Sequence, residues 1–200
     1  MATKYSLTVK NDSKNYGSIC VFQTMPDQPD NMLSLAWFSK PAHPDTAVEF
    51  DWMTQYNFVW SDQGELKPGI TFKASQVLDA DPSDVSKNSI ALVKEFDAYH
   101  FQETDKTTKE GNLGIYTNQT VPHGDSSVGI GMSGNVAFAA AAAPNNNHTF
   151  TPDPEYWVTF GTYEAGEVID KNSISNLDKI KFEPNEFHKK ITFDGNTWNV

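Results

Sequence analysis

Arginine is absent from this chain, and lysine supplies all of its fixed positive charge. Arginine is the side chain that grips phosphate and guanine with a planar fork. A chain without it, at a formal net charge of -11, makes a poor partner for nucleic acid and for anionic membrane surfaces. The acidity is explained simply by solubility at high concentration. Cysteine is almost absent too. The single Cys20 can close no internal disulfide, which fits a reducing compartment. It lies in the apolar run "SICVFQ", where a thiol is structural and inert, because reactive thiols need electropositive, accessible surroundings. No apolar run approaches the roughly 20 residues of a membrane-spanning helix. No basic and apolar leader opens the chain, since Met1-Ala2-Thr3 runs directly into "KYSLTVK". The expectation is a cytoplasmic protein. Three Asn-x-Ser/Thr triplets begin at Asn11, Asn118 and Asn147, and would matter only if the chain were exported by another route.

Long helical periodicity is also missing. Period-two alternation dominates instead. In "YSLTVK", Tyr5, Leu7 and Val9 share one side, and Ser6, Thr8 and Lys10 the other. "ICVFQ" has little polar alternation and reads as a strand covered on both faces. The proline-bearing stretches "TMPDQPDN" and "SKPAHPD" read as loops. From Glu49 to Trp60 the spacing predicts one long strand. Phe50, Trp52, Tyr56, Phe58 and Trp60 fall on one face, and Glu49, Asp51, Gln55 and Asn57 on the other. A helix would scatter these rings around its circumference; a strand collects them. "ITFKASQV" is expected to return as its hairpin partner, and "IALVKEFDAYHFQ" to be a strand. Later strands are expected at "LGIYTN", "SVGIGM", "YWVTFGTY", "KIKFE" and "KKITFD".

The stretch "SGNVAFAAAAAPNNN" poses the one real ambiguity. Its five consecutive alanines are the best helix formers, but a helix closed by Pro144 would have about two turns, which is marginal. Val128, Ile130 and Met132 alternate with Gly129 and Gly131, and Val136 and Phe138 with Ala137 and Ala139. The pattern predicts two strands and a turn, with one bulky face and one of glycine and alanine only. Such a bare face admits a neighbouring backbone, a large ring or a ligand. Filling by the facing sheet is the plainer reading. Many short strands separated by proline and glycine turns predict an all-β, antiparallel β-sandwich, Greek-key or jelly-roll-like, in a single domain over residues 1–200.

Catalytic and metal signatures are the last thing lacking. None of His43, His100, His123, His148 and His188 lies within four residues of another, so no local ligand set is offered. Asp79, Asp81 and Asp84 resemble the start of an EF-hand, but Asp84 stands where glycine is needed and Ile90 where glutamate is needed. There is no G-x-S-x-G elbow, and "GIGMSG" lacks the strand-to-helix setting of a nucleotide loop. No metal and no cofactor is expected. A triad assembled only in space would escape this reading.

What remains is binding. Trp157 follows the loop "HTFTPDPEY", and loops on a rigid sheet commonly carry binding. His148, Asp153, Tyr156 and Trp157 are therefore the candidate ligand-binding residues, for a glycan stacked on an aromatic ring. Tyr156 and Trp157 should point to opposite sides of their strand, so one of the two is expected inward.

The stretches "NDSKNYGSICVFQT", "LSLAWFSKPAHP", "YNFVWSDQGELKPG", "SVGIGMSGNVAFAA" and "FTPDPEYWVTFGTYEAGEVID" resemble the RhiA-like family of rhizosphere-expressed, quorum-regulated bacterial proteins. A weaker likeness, an opening strand followed by an "ND" turn, is to the AidA/PixA inclusion-body proteins. The resemblance implies an abundant soluble bacterial protein linked to life with a host, and brings no catalytic residues with it. The leading expectation is a non-enzymatic protein acting by binding or self-association, since open sandwiches leave strand edges free. A glycan-binding module is the alternative. A membrane-active sandwich is another, with "SVGIGMSGNVAFAAAAA" its only insertable hairpin, although no stable membrane insertion is expected.

Overall fold

The computed structural model describes residues 2–26 and 28–200; Met1, and Asp27 within the first expected proline loop, lie outside the described residues. Seventeen strands and one 3-10 turn occur among them. The chain is all-β. One sheet has the order β17-β16-β1-β5, with β1 Lys4–Asn11, β5 Ala47–Met53, β16 His188–Phe193 and β17 Trp198–Asn199. A second has the order β15-β14-β2-β4, with β2 Gly17–Thr24, β4 Ala36–Ala42, β14 Glu155–Gly161 and β15 Asp178–Ile180. A third has the order β3-β12-β11-β6-β7, with β3 Leu33–Ser34, β6 Tyr56–Ser61, β7 Gln76–Ala80, β11 Ser127–Met132 and β12 Asn135–Ala141. The fourth is β13-β10-β8-β9, with β8 Ser89–Glu95, β9 Ala98–Gln102, β10 Leu113–Thr117 and β13 Asn147–Phe150. Most neighbours are antiparallel, but β1 runs parallel to β16 and β10 parallel to β8. Alternation reports that a residue is extended; it carries no information on the direction of the partner strand.

One apolar core joins the sheets. Leu7 and Phe50 from the first, Val21 and Trp37 from the second, Phe58 and Phe138 from the third, and Leu92 and Phe150 from the fourth all belong to it. This is the sandwich that the alternation predicts, with inward side chains of facing sheets interdigitating.

The ring-bearing stretch is not one strand. It breaks at Thr54 and Gln55 into β5 and β6, which join different sheets. The inward parity survives the break: Phe50, Trp52 and Phe58 share the main core. On β6 the opposite face is buried as well, through Asn57, Val59 and Ser61. Parity cannot see a change of sheet when the residues on both sides of the corner still face the same core.

Other boundaries shift. The partner of β6 begins only at Gln76; Ile70–Ser75 lie outside the strands apart from a single bridge at Thr71. The expected strand over residues 90–102 is a hairpin, turning at Phe96 and Asp97 with φ of 51° and 63°. The stretch "SKPAHPD" is half strand, because β4 runs on through Pro41 to Ala42. Its place at the edge of its sheet explains why proline is tolerated there.

The alanine run is strand, as the alternation predicts. β11 and β12 form a hairpin through Ser133 and Gly134, both at positive φ. The register slips between Ile130 and Gly131, so that Ile130 opposes Phe138 while Gly131 opposes Val136. Ala137 is the extra residue, and the expected shared face of Val136 and Phe138 is lost. Phe138 enters the main core, whereas Val136 joins Ala139, Val59, Leu35 and Phe72 in a second cluster. One unpaired residue reverses the side-chain parity beyond it. The bare face is filled by protein: Ala139 packs in the second cluster, and a Cβ on Gly131 would meet the Asn135 carbonyl oxygen at 2.1 Å. β11 is buried along its whole length, between β12 and β6. The same hairpin is the insertable segment of the membrane-active reading, and here it forms the centre of a sheet.

Candidate functional site

Two clefts open on either side of the segment 151–154. Pro152 lines the larger and Pro154 the smaller. Between these prolines in sequence, the Asp153 amide donates to the Thr151 carbonyl at 2.9 Å.

The larger cleft, of about 1300 Å³, is lined by Tyr56, Asp79, Asp81, Lys87, Lys109 and Glu110. Tyr56 opens β6, where the chain has just turned the corner at Thr54 and Gln55; it is half-buried, packed against the main core while lining the cleft. Burial and the nearby Asp153 carboxylate push its hydroxyl up to about 12, so the phenol stays protonated. Asp79 and Asp81 come from the end of β7 and the acidic turn after it. The Asp81 carboxylate accepts from the Ser83 amide at 2.9 Å and its hydroxyl at 2.6 Å. Those bonds hold it below its ordinary value, and hence ionised. The opposite wall is the loop carrying Lys109 and Glu110, closed onto the acidic turn where the Gly111 amide donates to the Pro82 carbonyl at 2.7 Å. Asn88 anchors the start of that loop, its side-chain amide donating to the Thr108 carbonyl at 3.0 Å. The cleft thus offers a phenol, three carboxyl groups and two ammonium groups between braced loops.

The smaller cleft, of about 440 Å³, is lined by Tyr5, Tyr156, Lys179, Lys181 and Phe182 among others. Its floor is aromatic. Tyr5 meets Phe182 edge-on at 5.0 Å and stacks on Trp52 at 5.9 Å. The exposed Phe187 lies 5.7 Å from Tyr5. Lys179 pairs with Glu155 at the rim.

Of the four residues singled out from the sequence, one, Tyr156, lines a cleft. Tyr156 lines the smaller one and packs on Trp52 at 5.4 Å, with its hydroxyl pushed up chiefly by burial. Asp153 is exposed between Pro152 and Pro154 and lines neither cleft. His148 is buried on β13, away from both linings, and burial lowers its pKa. Trp157 points to the opposite side of β14 from Tyr156, as alternation requires. Its indole N–H donates to the Thr24 hydroxyl at 2.8 Å, and Lys171 covers the ring at 3.5 Å from its centre. That ring is half-buried and packs against the cluster of Cys20, Phe22 and Ile169. The residues that sequence reasoning missed, Tyr56, Lys87 and Lys109, come from a corner and two loops. Their signals were the aromatic alternation that placed Tyr56 on the ring face of the 49–60 stretch and the acidic turn, read as a failed calcium loop; nothing local marked Lys109. Among the described residues no group of His, Cys, Asp and Glu is placed to hold a metal ion.

An all-β sandwich defines the class: a strand-built scaffold with clefts lined by residues of its corners and loops. The sequence model of the RhiA family matches residues 2–200, and the chain belongs to that family. It is 38% identical over 202 residues to Protein RhiA of Rhizobium leguminosarum bv. viciae, covering 99% of this chain and 86% of that protein. No solved structure matches the chain. No helix among the described residues is long and apolar enough to cross a membrane.

Proposed function

We propose that the chain works by binding and not by catalysis, and that its ligand is a hydroxyl-rich, glycan-like molecule held in the larger cleft. The lining of that cleft carries the reading. A sugar presents an apolar ring face together with hydroxyls that both donate and accept. Tyr56 suits the face, and Asp79, Asp81, Lys87 and Lys109 suit the hydroxyls. One carboxylate of that lining, Asp81, supports binding over acid–base chemistry: it is held below its ordinary value, chiefly by hydrogen bonds from Ser83. A general acid working near neutral pH needs the opposite shift. The lone thiol, Cys20, is fully buried and pushed up by desolvation, which supports a structural role. Membership of the RhiA family supports placing the activity in a bacterium's life with a host.

Isothermal titration calorimetry against a panel of neutral and acidic glycans tests this. Binding by the wild type, weakened in both Lys109→Ala and Tyr56→Ala at unchanged thermal stability for the lysine variant, is the expected result. No heat with any glycan, or binding indifferent to both substitutions, rejects it. Self-association is the companion reading, carried by a different surface.

A further inference from the structure

Phe96 is the most exposed large apolar residue described, at 102% of its reference area. It sits at the tip of the β8–β9 hairpin in the left-handed region, with φ of 51°, followed by Asp97 at 63°. Two-residue turns of this kind are relaxed with Asn-Gly; a bulky side chain there is strained. Neither burial nor local geometry explains a phenylalanine at this position, and strain of this sort is characteristic of functional surfaces. The base of the hairpin is rigid. Lys94 reaches Asp125 at 2.8 Å, the Tyr99 hydroxyl donates to the same carboxylate at 2.7 Å, and the Lys94 amide donates to Thr120 at 2.9 Å. The ring is therefore presented on a braced arm, flanked by the carboxylates of Glu95 and Asp97.

A hollow of matching chemistry lies elsewhere on the molecule. The smaller cleft has an aromatic floor of Tyr5, Tyr156 and Phe182, and a volume of about 440 Å³ ample for a benzyl group. Its rim holds Lys179, Lys181, Glu155 and Glu183. Lys179 is engaged with Glu155, whereas Lys181 enters no ion pair among the described residues. On a chain of net charge -11, this balanced rim with a free ammonium group suits an acidic tip. The flanking carboxylates point away from an anionic bilayer as the partner.

We propose that the protein self-associates by seating Phe96 of one copy in the cleft formed by Tyr5, Tyr156 and Phe182 of a second copy, with Lys181 facing Glu95 and Asp97. Tip and cleft belong to different sheets and share no residue. Copies therefore join either reciprocally, as a two-fold dimer, or head to tail, as a growing chain. The contact is independent of the larger cleft, so glycan binding and self-association can fail separately.

Sedimentation velocity over a concentration series provides the test, with Phe96→Asn and Lys181→Glu as variants. Asparagine relaxes the turn, so Phe96→Asn should fold at least as well as the wild type while associating about tenfold more weakly or worse. Lys181→Glu should also weaken association. Mixing the two variants should restore a one-to-one complex, because one supplies an intact tip and the other an intact cleft. A wild type that stays monomeric at millimolar concentration overturns the proposal, as does Phe96→Asn associating like the wild type. Phe96-dependent binding to lipid vesicles by a monomeric wild type would also overturn it and assign the tip to membranes.

Discussion

Gly129 lies so close to Phe138 across the β11–β12 ladder that a Cβ on the glycine would stand 2.1 Å from the phenylalanine carbonyl oxygen. The contact is to backbone, next to the bulge, and cannot be relieved by turning a side chain. Gly129→Ala should therefore destabilise the fold by about 2 to 4 kcal/mol. Ala141→Val, at the exposed end of β12, should change stability by about 0.5 kcal/mol or less. Urea titrations of the two variants check the contrast, and equal midpoints would contradict the packed reading of this face.

Asn176 bridges β14 to the segment before β15. Its side-chain oxygen accepts from the Thr159 hydroxyl at 2.6 Å and the Phe160 amide at 3.0 Å, and its amide donates to the Phe160 carbonyl at 2.8 Å. Thr159 is fully buried, so removing the acceptor strands its hydroxyl. Asn176→Ala should cost about 2 to 3 kcal/mol, and the double variant with Thr159→Val should recover part of the loss.

The buried His148 predicts a pH dependence. Its folded pKa is lowered from 6.5 by desolvation. Above that unfolded value both states hold a neutral imidazole and stability is complete. As pH falls below it, the unfolded chain takes up the proton first, and stability declines down to the folded pKa. Melting temperature should fall between pH 7 and pH 5.5, before the carboxylates titrate, and His148→Gln should flatten that part of the profile.

Cys20 should resist alkylation in the native state. It is fully buried, and burial raises its pKa, so little thiolate forms and no reagent reaches it. A thiol-reactive chromophore should react only on unfolding; fast native labelling would contradict the packing around Phe22 and Ile169.

Trp157→Phe removes the donor to Thr24 and should cost about 1 kcal/mol, while leaving any ligand binding in the larger cleft unchanged. A loss of binding in this variant would return the glycan site to Trp157.

The all-β class was legible because side-chain parity is a local property. Leu7 and Val9 turn inward and Lys10 outward wherever the strand finds its partner. The strand identity of the alanine run followed from the same alternation, and so did the opposition of Tyr156 and Trp157. Three things required the tertiary structure. The corner at Thr54 and Gln55 keeps the parity of Phe50 and Phe58 while moving the chain to another sheet. The bulge at Ala137 arises from pairing with β11 and leaves no mark on the composition of β12. The clefts are assembled from segments far apart in sequence: Tyr56, the acidic turn and the loop at Lys109 in one, Tyr5, Tyr156 and Phe182 in the other. Local sequence sets which way each side chain points along an extended backbone. Which backbones meet, and what hollow they leave between them, depends on contacts between residues that no local pattern links.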